Sequence, residues 1–356
     1  MALKPLPKAI AVGIFIGGLV YGLSFLKFPS KPATEKSEPT TVSEQVQSVE
    51  QQAFPTAQPV QAPPPIAQAP QVPFVEGGVG IASGQPTGTN FPMVANIAKV
   101  CSTADHPINN VVSDGSVDNI FKIYSDKRAQ FGVIQEDALS YQQAIDPKMM
   151  SRVVAVFPFF SVEVHAVVAE NSPIRSLADM QGKRVIEGPE GSGTWVTTQV
   201  IKAQTGIQWN AMHLSQKDGL AAVQNGTADV EFVVAGKPIT MLKTAQGVRL
   251  VPISHPALDQ YKYYTRTMIQ SGSYPFQSTG VSTYKVNNVL ATYAFKNQYQ
   301  KEIGDLVTCI TRNMDELQMH GHEKWKDVDP LDIDRVKWPV HPSAVAAIKR
   351  ESRGRK

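Results

Sequence analysis

From residue 79 onward the spacing of apolar positions switches back and forth between two periods. Short runs of Val, Ile and Phe predict strands, and stretches with apolar residues every three or four positions predict helices. Residues 79–82 read as a strand and 91–100 as a helix. Residues 110–112 are a strand, and 117–124 are a helix capped by a Ser or Asp of the preceding turn. Residues 130–134 form a buried strand, followed by a helix through Tyr141. The β-branched runs 151–160 and 162–169 predict two strands, and 173–180 a helical turn. Arg184-Val185-Ile186 is a strand. It leads to a helix whose apolar positions are Trp195, Val196, Val200, Ile201 and Ala203. Further on, 215–224 is a helix, 228–234 a strand, 235–238 a helix restart, and 248–253 and 281–286 are strands. Residues 263–274 read as a polar aromatic connection, and about 291–319 as helical. Strands alternating with helices argue for an α/β fold with mostly parallel sheets.

Two of these strand-to-helix connections carry candidate chemistry. One runs Ser83-Gly84-Gln85-Pro86-Thr87-Gly88-Thr89-Asn90, the other Glu187-Gly188-Pro189-Glu190-Gly191-Ser192-Gly193-Thr194. A glycine- and hydroxyl-rich loop at a helix start leaves backbone N–H groups aimed outward, where the helix dipole favours an anion or carboxylate. Ser192 or Thr194 can cap the helix or turn its hydroxyl to a ligand. Each loop alone also reads as an ordinary turn. Enzymatic readings are weak. No lysine follows Gly88 or Gly193, as a phosphate loop needs. The third glycine of a dinucleotide fingerprint is missing, and Glu190 stands where a nucleophile elbow needs glycine.

Composition adds location. The 356 residues carry 34 Lys+Arg against 31 Asp+Glu, with a basic cluster only at Lys349, Arg350, Arg353, Arg355 and Lys356. This balance argues against a nucleic-acid partner, and the cluster reads as a solvated, disordered tail. Residues 9–26 contain no charge and follow Lys4 and Lys8. That run predicts a transmembrane anchor with residues 1–8 in the cytoplasm; the alternative is a cleaved signal peptide. Either exports the rest. Residues 27–74, rich in Pro, Gln and Ala, predict a disordered tether. Cys101 and Cys309 lie far apart in sequence and read as two buried free thiols, with a disulfide as the alternative in an oxidising compartment. The histidines are scattered, so neither a metal nor a cofactor is expected.

With these residues in view, the chain resembles the TAXI family, the extracytoplasmic solute receptors of TRAP transporters. The resemblance covers roughly residues 80–294. It is carried by Ala82-Ser83-Gly84 through Asn90-Phe91-Pro92, by Ser113-Asp114-Gly115-Ser116, and by Gly132-Val133-Ile134-Gln135-Glu136-Asp137. Glu163-Val164-His165, Leu177-Ala178-Asp179-Met180, Gly188-Pro189-Glu190-Gly191-Ser192-Gly193-Thr194, Asn225-Gly226-Thr227-Ala228-Asp229, Ala235-Gly236 and Ser273-Tyr274-Pro275 complete it.

The resemblance implies a two-lobed periplasmic-binding fold of type II kind with two crossovers. Lobe one would comprise residues 75–166 and 266–356, and lobe two residues 167–265. It implies capture of an amino acid or small organic acid in the cleft, without catalysis, and delivery to a TRAP-type permease. By position, Thr87, Gly88, Thr89, Phe91, Ser116 and Gln135 would line the cleft from lobe one. Ser192, Gly193, Thr194, Trp195 and Gly236 would line it from lobe two, with Tyr274 gating the rim or packing a turn. Gln85 and Pro86 depart from the small residues usual in the first loop. Glu136, Glu187 and Glu190 bring negative charge, which can meet a ligand amine or point to solvent. No arginine in these loops is a carboxylate clamp. The anchor and tether also suit a sensor or envelope scaffold that keeps the receptor fold.

Overall fold

The computed structural model describes residues 74–86, 88–294 and 300–353. All lie in one compact unit spanning residues 66–356. The expected anchor 9–26, the tether up to residue 73, Thr87 and residues 354–356 fall outside the described residues. Among the described residues no helix is long and apolar enough to cross a membrane.

The strands are β1 (Val79–Gly84), β2 (Ile108–Val112), β3 (Phe131–Gln135), β4 (Val153–Ala169), β5 (Arg184–Ile186), β6 (Asn210–Met212), β7 (Val230–Ala235), β8 (Val248–Leu250), β9 (Tyr264–Ile269) and β10 (Val281–Tyr293). The helices are α1 (Asn90–Cys101), α2 (Ser116–Ser125), α3 (Glu136–Ile145), α4 (Pro147–Met150), α5 (Gly193–Thr205), α6 (Gln216–Gln224), α7 (Pro256–Gln260), α8 (Gln300–Arg312), α9 (Met314–His320) and α10 (Pro342–Arg353). The fold is mixed α/β, as the alternating pattern predicts.

One hydrogen-bonded path runs β2-β1-β3-β10-β4-β7-β5-β6, with β8 on β4 and β9 on β10. It has two halves. In the first, β1, β2 and β3 are parallel to one another. In the second, β5, β6 and β7 are parallel to one another. Between them run β4 and β10, antiparallel to each other and long enough to belong to both. The first part of β4 sits against the far end of β10, while its last part pairs with β7 and β8.

The hydrophobic pattern breaks both long strands. Ser161 divides residues 151–169 into two apparent strands, yet β4 is continuous for 17 residues, Pro158 included. Proline cannot donate to a ladder and is tolerated at irregularities. Pro158 lies opposite Val289, where the pairing with β10 shifts register between Asn287 and Val289. In β10 the polar pair Asn287-Asn288 ends the apparent strand, but the ladder continues to Tyr293. Residues 291–293 are therefore strand, not the start of a helix. The connection 263–274 contains β9, whose Thr265 and Arg266 face solvent while Tyr264 and Ile269 are buried. Residues 235–238 do not restart a helix; a 3-10 turn follows only at Thr240–Lys243.

The largest apolar cluster runs through Ile97, Phe131, Phe157, Phe160, Leu290 and Trp325. A second one gathers Val167, Ile186, Val233, Leu242 and Tyr274 beneath the second half. Of the C-terminal basic cluster, Lys349, Arg350 and Arg353 are not in a free tail but in a packed helix. Residues up to Arg353 are helical, α10 buries Ala344, Ala347 and Ile348, and Arg312 and Arg350 both bond Glu351.

Cys101, at the end of α1, and Cys309, in α8, form a disulfide with Cα atoms 5.8 Å apart. The reading as two free thiols is corrected: α1 packs on α8, which the sequence separation of 208 residues hides. A cross-link over so long a loop restricts the unfolded chain, by about 5 kcal/mol in the chain-entropy account and typically 2–4 kcal/mol in practice. Cys101→Ser with Cys309→Ser should lower the unfolding free energy by a few kcal/mol in denaturant melts. An unchanged midpoint would show that the cross-link does not form or does not matter.

Candidate functional site

The carboxyl ends of both parallel groups point at the middle of β4 and β10. Strand β3 ends at Gln135, opposite Asn288. Strand β7 ends at Ala235, opposite Glu163. Asn287 and Ser161, paired with each other, lie between those two levels. In open α/β sheets ligands bind outside the carboxyl ends of the strands. Here two such edges face one another along a seam.

The helix starts meet at that seam. Helix α2 lacks the expected Ser or Asp side-chain cap; its N-cap is Gly115 at φ +122°. A Cβ on Gly115 would stand 3.0 Å from the Ser192 Cα, so this backbone needs glycine for both its conformation and its neighbour. Val117 N–H donates to the Gly191 carbonyl at 3.1 Å. Across the seam, Ser192 caps α5: its Oγ accepts from the Trp195 N–H at 3.2 Å. Thr194 turns inward instead, accepting from the Val234 N–H at 3.1 Å. Trp195 stays partly buried and meets Tyr141 of α3 edge-on, with ring centroids 5.6 Å apart.

Gln135 and Asp137 make the deepest connection. The Gln135 side chain lies directly over Gly193, where a Cβ would overlap its Oε1. Its Nε2 donates to Thr197 Oγ1 at 3.4 Å, and Thr197 donates onward to Asp137 Oδ2 at 2.7 Å. The Tyr264 hydroxyl donates to the same carboxylate oxygen at 3.1 Å. Asp137 is fully buried, and its other oxygen, Oδ1, has no hydrogen-bond partner. Burial pushes the Asp137 carboxyl up to about 6, against the opposing pull of Thr197 and Tyr264. The neighbouring Glu136 is tied elsewhere, accepting from the Asn287 amide and from the Lys337 and Trp338 N–H groups. Burial also raises its carboxyl above the ordinary range.

Gly236 is covered in the same way. Lys324, in the 3-10 turn Glu323–Asp327, runs its stem across Gly236, where a Cβ would collide with Cε. Its ammonium is 2.7 Å from Asp327 and 5.7 Å from the Phe160 ring centroid. Beside it, Lys237 pairs with Glu163 at 3.6 Å. Tyr274 is not at a rim: it is buried, with its hydroxyl 2.9 Å from His165 Nε2. Glu187 faces inward to Lys202, Trp209 and Gln199, while Glu190 is exposed.

The structure thus brings together Ser116, Gln135, Ser192, Gly193, Thr194 and Trp195. Ser116 is buried beside Gln135, its hydroxyl accepting from the Gln135 N–H at 3.3 Å. Gly236 lies against Lys324 on the same seam. Gly88, Thr89 and Phe91 flank Asn90, whose Oδ1 accepts from the Asn288 amide at 3.3 Å. Gly88 N–H closes a turn on the Gln85 carbonyl, and the Phe91 carbonyl accepts from Asn110, both within the first half. Sequence reasoning missed Asp137, Thr197, Tyr264 and Lys324. Glu136-Asp137 reads as an acidic first turn, and only packing buries it. Lys324 lies outside the stretches that carry the resemblance. Among the described residues no cluster of three or more His, Cys, Asp or Glu side chains could hold a metal ion.

Residues 81–349 match the NMT1-like family. Among solved structures, the chain is similar to a protein described as the periplasmic sulfonate-binding protein of an ABC transporter from Methylobacillus flagellatus. That likeness has 15% identity over 77% of this chain and 76% of that one, with a TM-score of 0.43. It is also similar to a mutant of the T. maritima protein ArgBP, with 12% identity over 68% and 90% and a TM-score of 0.43. A structure described as a periplasmic transporter gives 11% identity over 78% and 95%, with a TM-score of 0.48. Likenesses this distant say nothing of what this chain binds.

The buried carboxyl gives the seam a pH dependence with a definite sign. An acid whose folded pKa is near 6, against 3.8 as an ordinary value, stabilises the fold while protonated. That contribution is complete below about pH 4 and is lost as pH rises through about 6. Across this window the loss is about 3 kcal/mol. Asp137→Asn should abolish this component, so that wild type and variant diverge in denaturant melts between pH 4 and pH 7, with the variant relatively more stable at pH 7. Parallel curves would contradict the assignment.

Proposed function

This chain belongs to the NMT1-like family, and from that membership and the seam we propose that it is an extracytoplasmic solute-binding protein. It holds a small carboxylate or amino acid between its two halves and delivers it to a TRAP-type permease. The observation that carries this reading is the meeting of the α2 and α5 starts, Gly115 on Ser192, between halves that share β4 and β10. Two glycine-lined helix starts pressed together can separate by bending the crossing strands, and close on a ligand by the reverse motion. First-turn N–H groups there suit a carboxylate.

The site comprises Thr87, Gly88, Thr89, Phe91, Ser116 and Gln135 on one side. Ser192, Gly193, Thr194, Trp195 and Gly236 complete it on the other. Binding is reversible and involves no chemistry on the solute. The uncharged run 9–26 supports a tether to the inner membrane, or a cleaved leader with a free periplasmic form. The Cys101–Cys309 disulfide supports an oxidising compartment.

A second reading has its own observation. Gln135 over Gly193 and Lys324 over Gly236 fill parts of the seam with protein atoms. That favours a sensor or envelope scaffold that keeps the receptor fold without serving transport.

A thermal-shift screen of the full chain in detergent, against amino acids and small carboxylates, separates the two. A ligand at about 100 times its Kd adds about 2.7 kcal/mol to stability. The receptor reading expects at least one such hit, weakened tenfold or more by Thr89→Ala, whose hydroxyl makes no cap bond to its own helix. No shift across the panel would leave the scaffold reading standing.

A further inference from the structure

A second contact between the halves is made by the C-terminal segment that follows α9. The segment is fastened to the first half at Asn96 of α1. The Asn96 Oδ1 accepts from the His322 N–H at 2.8 Å and from the Trp325 Nε1–H at 3.2 Å. Trp325 is fully buried and meets Phe159 of β4 edge-on, with ring centroids 5.4 Å apart. From that anchor two successive residues reach the second half. Glu323 pairs with Lys243, 3.7 Å away in the 3-10 turn Thr240–Lys243. Lys324, only 3% exposed, lays its stem across Gly236, just past the end of β7. Asp327 of the same turn holds the Lys324 ammonium at 2.7 Å. The charge is thus met within the segment, and Lys324 acts on Gly236 through its methylene groups, which pack as apolar surface.

His322 sets the shape of this turn. Its Nδ1 accepts from the Lys324 N–H at 3.1 Å and caps the 3-10 turn Glu323–Asp327. A ring nitrogen that accepts carries no proton, whereas both nitrogens of an imidazolium are donors. Protonation at Nδ1 therefore sets two donors against each other at the residue that covers Gly236. The charged groups acting on the ring are Glu323, Lys324 and Lys243. Burial holds the His322 pKa below its ordinary 6.5, with both lysines adding to the effect and Glu323 opposing it. The cap is thus complete above pH 6.5 and is lost as pH falls through the lowered value.

We propose that His322–Asp327 is a strap, fastened on α1, that holds the two halves together at Gly236 and Lys243, and that acid releases it at His322. The strap requires that the halves part but no particular solute, so it stands or falls separately from the receptor and scaffold readings.

Spin labels at Lys127 and Lys217 of the full chain in detergent read the separation of the halves. At about pH 7.5 one short distance should dominate, and at about pH 5 the population at longer distances should rise several-fold. His322→Asn keeps an acceptor for the cap without a titrating group, and should stay short at both. Asp137, with its carboxyl near 6, titrates in the same range with the opposite sign, so the comparison of wild type with His322→Asn isolates the strap. At the higher pH, Glu323→Lys should raise the long-distance population several-fold, and Glu323→Lys combined with Lys243→Glu should bring it back. Lys324→Ala should also raise it, whereas Lys324→Met, which keeps the stem, should not. The charge swap and Lys324→Met control for folding. A wild-type distribution that does not change with pH, or a change that persists in His322→Asn, would overturn the release by His322. A charge swap that leaves the halves apart, or a Lys324→Ala distribution like that of wild type, would overturn the strap itself.

Discussion

Backbone pairing between β4 and β10 runs from one half of the sheet into the other, through register shifts at Asn287/Val289 and Leu290/Ala291, and the seam is placed by it. Because both strands belong to both halves, the end of β3 on β10, opposite Asn288, and the end of β7 on β4, opposite Glu163, arrive at nearly the same level of the pair. In the same two halves, the helices that follow β2 and β5, α2 and α5, start toward each other. Gly115 and Gly193 are where that convergence leaves no room for a side chain.

The chemistry of the seam follows from burial. Gln135, Thr197, Asp137 and Tyr264 form a connected polar set drawn from both sides, inside an otherwise apolar packing of α3, α5 and β9. Such a set holds the halves together when satisfied and weakens them when charged or orphaned. Asp137 sits at that margin: two hydroxyls donate to one of its oxygens, and nothing donates to the other. Lys324 covers Gly236 from the C-terminal segment, so the late part of the chain also helps to close the seam.

The sequence predicts most of the strands and helices, because their apolar periods are local. It also finds the Ser192 cap, which needs only a hydroxyl before Gly193-Thr194. It does not show that β4 and β10 are continuous. Ser161 and Asn287-Asn288 look like strand ends, and the ladder passes them through a register shift between strands far apart in the chain. Strand β9 hides behind alternating Thr and Arg. The Cys101–Cys309 link, the burial of Asp137 and the reach of Lys324 to Gly236 all depend on tertiary neighbours, which no local pattern encodes. Gln135 is legible as a polar residue at a strand end, but not as one lying on Gly193.

The claim beneath all of this is that the two halves are separate bodies that meet at the seam and can part there. Spin labels at the exposed positions Lys127 and Lys217, one on each half, would measure it by electron–electron distance. The distribution in the otherwise unaltered chain should be dominated by one short distance. Gly193→Phe, which wedges a ring where Gln135 now lies, should shift it to longer distances while the fold is kept. An identical distribution in the wedged, folded variant would contradict the account.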